Sequence, residues 1–168
     1  MWICGPPGTG KSRLAIAYAR KKTGENFYIH QAGPLKWWDG YSDQPCIIIN
    51  DFRRSQLKEV GGFSYLLNIT DRYDITVENK GSTVRGLWDT CIITCPNPPD
   101  TEFTYHGEDG DCVEEHLGQL IRRLSFIIEL RVLDGQAYEI DRTAELKHKY
   151  GVGHFECLTE STILGTKL

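Results

Sequence analysis

Short apolar runs, separated by glycine and proline, recur along the chain and set the expected elements. Met1-Trp-Ile-Cys4 is brief and continuous, as a strand covered on both faces would be. Gly5-Pro-Pro-Gly-Thr-Gly10 follows as a loop. Over residues 11–22, Leu14, Ala15, Tyr18 and Ala19 recur at helical spacing, and Gly24 marks the stop. Residues 26–30 read as a second strand and 31–45 as a loop carrying Trp37 and Trp38. Cys46-Ile-Ile-Ile-Asn50 reads as a central parallel strand. A helix is expected over 55–70, against the grain of Gly61 and Gly62. Ile75-Thr-Val77 and Thr83-Val84 flank a hairpin whose tip holds Lys80 and Gly81.

Cys91-Ile-Ile-Thr94 is a further buried strand, stopped by Pro96, Pro98 and Pro99. Residues 101–111 are polar and loop-like, 113–123 helical, and 125–133 a strand. Asp134-Gly135 then turns tightly into a strand over 136–140. Strands alternating with helices predict an α/β domain over residues 1–140 with a mainly parallel sheet flanked by helices. Residues 141–168 carry no clear pattern and stay unassigned.

The 168 residues suit one domain, 40% hydrophobic and 25% charged, so a core can form. A net charge of −4 argues against a surface coated in basic residues, though not against a local basic loop. The six cysteines include no C-x-x-C pair, which disfavours a zinc finger and suggests reduced, buried thiols. No run approaches the ~18 apolar residues of a membrane span, and no signal peptide precedes the loop. The expectation is an intracellular protein with no membrane partner. The five histidines show no metal spacing and are assigned nothing.

Gly5-Pro6-Pro7-Gly8-Thr9-Gly10-Lys11-Ser12 matches G-x-x-x-x-G-K-[ST] in full, between a strand and a helix. Its glycines let backbone N–H groups turn toward phosphate oxygens. Lys11 reaches the β- and γ-phosphates, and the Ser12 hydroxyl meets Mg²⁺. The helix N-terminus adds positive potential. Such a site needs an acid at the end of a neighbouring buried strand. Asp51 supplies it, with Asn50 before it to order metal or water.

Taken in order, these motifs resemble the superfamily 3 helicase domain, AAA+-like in fold, of circovirus-like replication-associated (Rep) proteins of circular single-stranded DNA viruses. Residues 5–12 match Walker A and 47–52 Walker B. Lys36-Trp-Trp-Asp-Gly-Tyr41 matches the segment before the acidic strand. Asp71-Arg-Tyr73 with Val77-Glu-Asn-Lys-Gly81 matches motif B′, Ile92-Ile-Thr94 to Asn97 motif C, and Ile121-Arg-Arg-Leu124 the late arginine pair. The resemblance spans residues 1–130. It implies ATP and Mg²⁺ as cofactors, a homo-oligomeric, commonly hexameric ring, and translocation on single-stranded DNA in the host nucleus. RNA remains an alternative strand. It also implies that Lys80 and Gly81 contact the strand, that Asn97 senses the γ-phosphate with Thr94 in reserve, and that Arg122 or Arg123 is an arginine finger.

The departures shape the alternatives. Asn50 stands where an acid is common, Pro96 disturbs motif C, and no nicking endonuclease domain is expected in a chain whose loop begins at Gly5. A truncated nucleotide-binding and oligomerisation module with little turnover is therefore the second reading, and a small-molecule kinase a third. Trp37 and Trp38 are expected as packing anchors rather than stacking platforms.

Overall fold

The computed structural model describes residues 1–104 and 117–152. A six-stranded sheet carries the fold: β1 (Trp2–Cys4), β2 (Phe27–His30), β3 (Cys46–Ile49), β6 (Thr90–Cys95), β7 (Ile127–Leu133) and β8 (Gln136–Asp141). Its order is β2-β3-β6-β1-β7-β8. Five strands are parallel, and β8 returns antiparallel from β7. This is the expected mainly parallel α/β architecture of a P-loop domain. One expectation changes: β3 is not the neighbour of β1, because β6 lies between them.

Side-chain parity divides the core between the two faces of the sheet. Ile3, Ile48, Ile92 and Leu130 meet Ala15 and Ala19 of α1 (Lys11–Thr23). Two alanines at the contact let this helix lie close to the strands. Trp2, Ile47, Ile49, Ile93 and Ile127 face the other way. There they pack under α2 (Phe63–Ile69), α4 (Leu117–Arg123) and α5 (Thr143–Lys149). Trp2 and Phe52 cross edge-on at 5.5 Å within this layer.

Other boundaries also differ from expectation. The helix expected over 55–70 is a 3-10 turn, Arg54–Leu57, followed by α2. Gly61 and Gly62 break it, with φ of 94° and 69°. A short helix, α3 (Pro99–Phe103), occupies the start of the expected 101–111 loop, because proline is favourable in a first helical turn. Residues 105–111 of that loop, 113–116 of the expected helix, Cys112 and Cys157 lie outside the described residues. So does the end of the unassigned tail, 153–168. The rest of the tail belongs to the domain. In α5, Leu146 is buried in the main core, and the Thr143 hydroxyl accepts the Ile127 N–H at 2.8 Å.

Cys4, Cys46 and Cys95 are buried and unpaired, and Cys91 is half-buried. Burial pushes the Cys46 thiol to about 11 and those of Cys4 and Cys91 to about 12, so they stay protonated and inert.

Candidate functional site

The loop between β1 and α1 sits at the carboxyl ends of the parallel strands, where open α/β sheets bind ligands. Gly8 and Gly10 take φ of 80° and 91°. Gly5, at φ 142°, is fixed by contact as well. A Cβ there would stand 2.3 Å from the Leu130 carbonyl oxygen of β7. The loop closes on itself through Thr9, whose hydroxyl donates to the Pro6 carbonyl at 2.9 Å. Lys11 folds back over the loop, its ammonium donating to the carbonyls of Gly5 (2.7 Å) and Pro6 (2.8 Å). Burial holds the Lys11 pKa below its ordinary value, partly offset by the nearby Asp51 carboxylate.

A cleft of about 500 Å³ opens beside this loop. Pro7, Gly8, Lys11, Ser12, Asn50 and Thr94 are among its walls. Three polar side chains form a hub at its floor. The Ser12 hydroxyl donates to Asn50 Oδ1 at 2.7 Å, and the Thr94 hydroxyl donates to the same oxygen at 3.1 Å. Thr94 Oγ1 in turn accepts the Asp51 N–H at 2.8 Å. Ile49 pairs with Ile93, and Ile3 with Thr94, so the hub residues close adjacent strands at one level.

Asp51 follows with φ of 54°, a left-handed conformation that a non-glycine residue adopts at some cost. Its carboxylate lines the cleft and pairs with Arg53 at 2.8 Å. Arg53 also donates to the Phe52 carbonyl at 2.9 Å.

The residues fit a nucleotide and its cation. Ser12 has one hydroxyl proton, and Asn50 takes it, leaving the oxygen lone pairs for a metal. The strand ends supply one carboxylate, Asp51, and one amide, Asn50. Among the described residues no cluster of three His, Cys, Asp or Glu could hold an ion unaided. A cation here would therefore share its coordination with phosphate oxygens and water.

The motif C residues separate. Asn97 Nδ2 donates to Glu102 Oε2 at 2.9 Å, and the Asn97 carbonyl accepts Trp2 Nε1 at 3.0 Å. It is turned toward α3 rather than into the cleft. Thr94, three residues earlier, lines the cleft while 1% exposed. The physical reason is Pro96, which ends β6 and redirects the chain into α3.

The two arginines also part. Arg123 is partly buried, donates to Asp71 Oδ2 at 2.6 Å and to the Gln119 carbonyl at 3.0 Å, and is a structural tie. That hydrogen bond, helped by the Arg72 N–H, lowers the Asp71 pKa. Arg122 is exposed. Both lie just before β7 begins, at the end of the sheet opposite the phosphate loop, and neither lines the cleft.

Lys80 and Gly81 form the two-residue turn between β4 (Ile75–Asn79) and β5 (Ser82–Gly86). Gly81 supplies the positive φ, 87°. Lys80 is exposed; its ammonium lies 3.5 Å from Asp39, and its N–H donates to the same carboxylate at 2.8 Å. The hairpin docks on the tryptophan loop through a Trp37–Glu78 bridge and a 2.8 Å bond from the Trp38 N–H to the Glu78 carbonyl.

Trp38 is fully buried, stacked on Trp88 with centroids 5.0 Å apart. His30, which the sequence left without a role, sits 5.1 Å from Trp38. Its ring nitrogens face the carbonyls of Gln31 (2.9 Å) and Trp37 (3.0 Å). Burial lowers its pKa despite those two acceptors. Its own carbonyl accepts the Asn50 N–H at 2.9 Å. Sequence reasoning also missed Arg53, which no spacing singled out.

A family model described as RNA helicase matches residues 1–90. The chain belongs to this RNA helicase family. It is a superfamily 3 helicase domain of the kind found in Rep proteins. The replication-associated protein of pigeon circovirus is 37% identical over 123 residues, 73% of this chain and 33% of its own length. That of porcine circovirus 2 is 38% identical over 100 residues, 58% of this chain and 28% of its own. The genome polyprotein of a norovirus is 25% identical over 138 residues, 75% of this chain and 7% of the polyprotein. The helicase domain thus spans about a third of the length of the circovirus relatives it matches. No helix among the described residues is long and apolar enough to cross a membrane.

Proposed function

We propose that this domain hydrolyses ATP with Mg²⁺ and couples hydrolysis to movement along single-stranded DNA, as the motor of a viral replication-associated protein in the host nucleus. The Ser12–Asn50–Thr94–Asp51 hub beside the phosphate loop carries this reading. It joins the loop that would hold phosphate to the acid that would act on water.

The backbone N–H groups of residues 8–12 surround the phosphates, and Lys11 exchanges its loop carbonyls for β- and γ-phosphate oxygens. Ser12, Asn50 and Asp51 would hold Mg²⁺, which would supply charge neutralisation at the phosphate oxygens. Asp51, released from Arg53, orients the attacking water and receives its proton. Thr94 takes the orienting role at the cleft, and Asn97 supports the turn behind it. Subunits assemble as a ring, hexameric by family likeness, and Arg122 of one reaches the cleft of the next. Lys80 and Gly81 track the strand's phosphates.

The test is steady-state ATP hydrolysis, with and without single-stranded DNA, for the wild type and Lys11→Ala. Hydrolysis that rises with DNA and vanishes in the variant is expected. Binding without turnover would overturn the motor reading. It would support a nucleotide-binding and assembly module, which Asn50 and the Arg53-capped Asp51 favour as second reading. The RNA helicase description of the family makes a matching RNA strand the necessary parallel arm.

A further inference from the structure

We infer that Trp37 is a stacking platform for a base of the bound single strand, set beside the Lys80 hairpin. The inference rests on the strand-binding reading of that hairpin and adds the residue that would hold bases. Sequence alone treats the adjacent tryptophans as a pair of packing anchors. Their environments differ. Trp38 is buried and its indole N–H is used by the Leu35 carbonyl at 3.0 Å, whereas Trp37 is 39% exposed. Trp37 bridges Glu78 while the Trp38 ring turns into the core, so the two adjacent rings meet different surroundings.

The backbone under Trp37 is held from two sides. Its carbonyl faces His30 Nε2 at 3.0 Å, and it bridges Glu78 of β4 through the next N–H, which donates to the Glu78 carbonyl. Two residues further along, Asp39 holds the N–H of Lys80. The indole and the hairpin turn thus belong to one braced unit, Trp37 bridging Glu78 two residues before Lys80. The Lys36 ammonium lies 5.0 Å from the Trp37 ring centroid. A lysine on a flexible stem can move from the ring to a phosphate as a base arrives.

Charge makes stacking necessary here. Lys36 and Lys80 are matched by Asp39 and Glu78 in the same patch, on a chain of net charge −4. Phosphate attraction at a nearly neutral patch is weak and easily screened. Base–aromatic stacking does not depend on net charge and accepts any base.

The experiment measures fluorescence anisotropy of labelled strands with the full chain: an oligo-dT, an oligo-U and a sugar-phosphate strand without bases. Trp37→Ala is expected to weaken binding of both base-bearing strands roughly tenfold and to leave the baseless strand unchanged. Trp37→Phe should restore most of the loss. An unchanged melting temperature confirms that the braced backbone survives. Wild-type affinity in Trp37→Ala would overturn this inference alone. So would an equal loss on the baseless strand, which would make Trp37 only a shaper of the hairpin. Failure of the wild type to bind any strand would overturn the translocation reading along with it.

Discussion

Thr94→Val isolates the hub with the least disturbance of shape. Valine keeps the branched outline that suits β6 and removes only the hydroxyl. Two bonds go with it: the 3.1 Å donation to Asn50 and the 2.8 Å acceptance of the Asp51 N–H. A lost bond is worth about 1 kcal/mol, and a stranded, partly buried donor about 1–3 kcal/mol. Asp51 already holds φ of 54°, a conformation it keeps only while its neighbours dictate it. A net loss of about 2 kcal/mol is therefore expected, or about 4–8 °C in melting temperature for a chain of this size.

Function should fall further than stability. Hydrolysis is expected to drop at least tenfold, about 1.4 kcal/mol in the barrier, because the acid is no longer aimed. Nucleotide affinity should change little, since Lys11 and the loop glycines are untouched. Single-turnover hydrolysis beside a fluorescent-nucleotide titration separates the two, and Thr94→Ser should recover both. A lowered melting temperature with undiminished hydrolysis would refute the reasoning, leaving Thr94 as a core residue that happens to border the cleft.

Other expectations follow from the same geometry. Asn50→Asp retains both hydroxyl bonds as charge-assisted ones and adds a carboxylate beside the cation position. The Mg²⁺ concentration needed for half-maximal nucleotide binding should fall several-fold, and no change would show that the amide is not the weak point. Arg123→Ala should cost about 1–2 kcal/mol in chemical denaturation by stranding Asp71, whereas Arg122→Ala should melt like the wild type yet lose hydrolysis, and should poison wild-type subunits in mixed oligomers. For His30, burial sets the folded pKa below the ordinary 6.5. The unfolded chain then takes up a proton that the folded chain refuses, so stability falls as pH drops below 6.5. The slope is at most about 1.4 kcal/mol per pH unit. His30→Gln should flatten that part of a pH–stability profile.

What the chain discloses in advance is what local chemistry dictates. The glycines and Lys11 of the loop, the all-apolar β3 and the Lys80–Gly81 turn follow from short-range rules. Pairing across the sheet does not. That β6 lies between β1 and β3, bringing Thr94 against Asn50, depends on packing between segments far apart in sequence. A signal for it existed: Thr94 closes an apolar strand with a polar residue, just as Asn50 does. The roles of Asn97 and Arg123 were hidden because Glu102 lies in no motif, and because the pairing of Arg123 with Asp71 is set by packing between distant segments. Trp37 and Trp38 look identical in sequence, and only their surroundings in the fold separate them.

The contact between Gly5 and Leu130 bears on the order of folding. Among the described residues β1 pairs with β6 and β7, and Cys4 and Ile128, which also touch, are 124 positions apart. The phosphate loop has its own local bonds, but its Gly5 end is seated against β7. Closing loops of that length is slow, and the contacts that reward closure come late. The nucleotide cradle is thus among the last parts of the domain to form. The Walker A residues are made well before β7, and the cradle they form is complete only once β7 is in place.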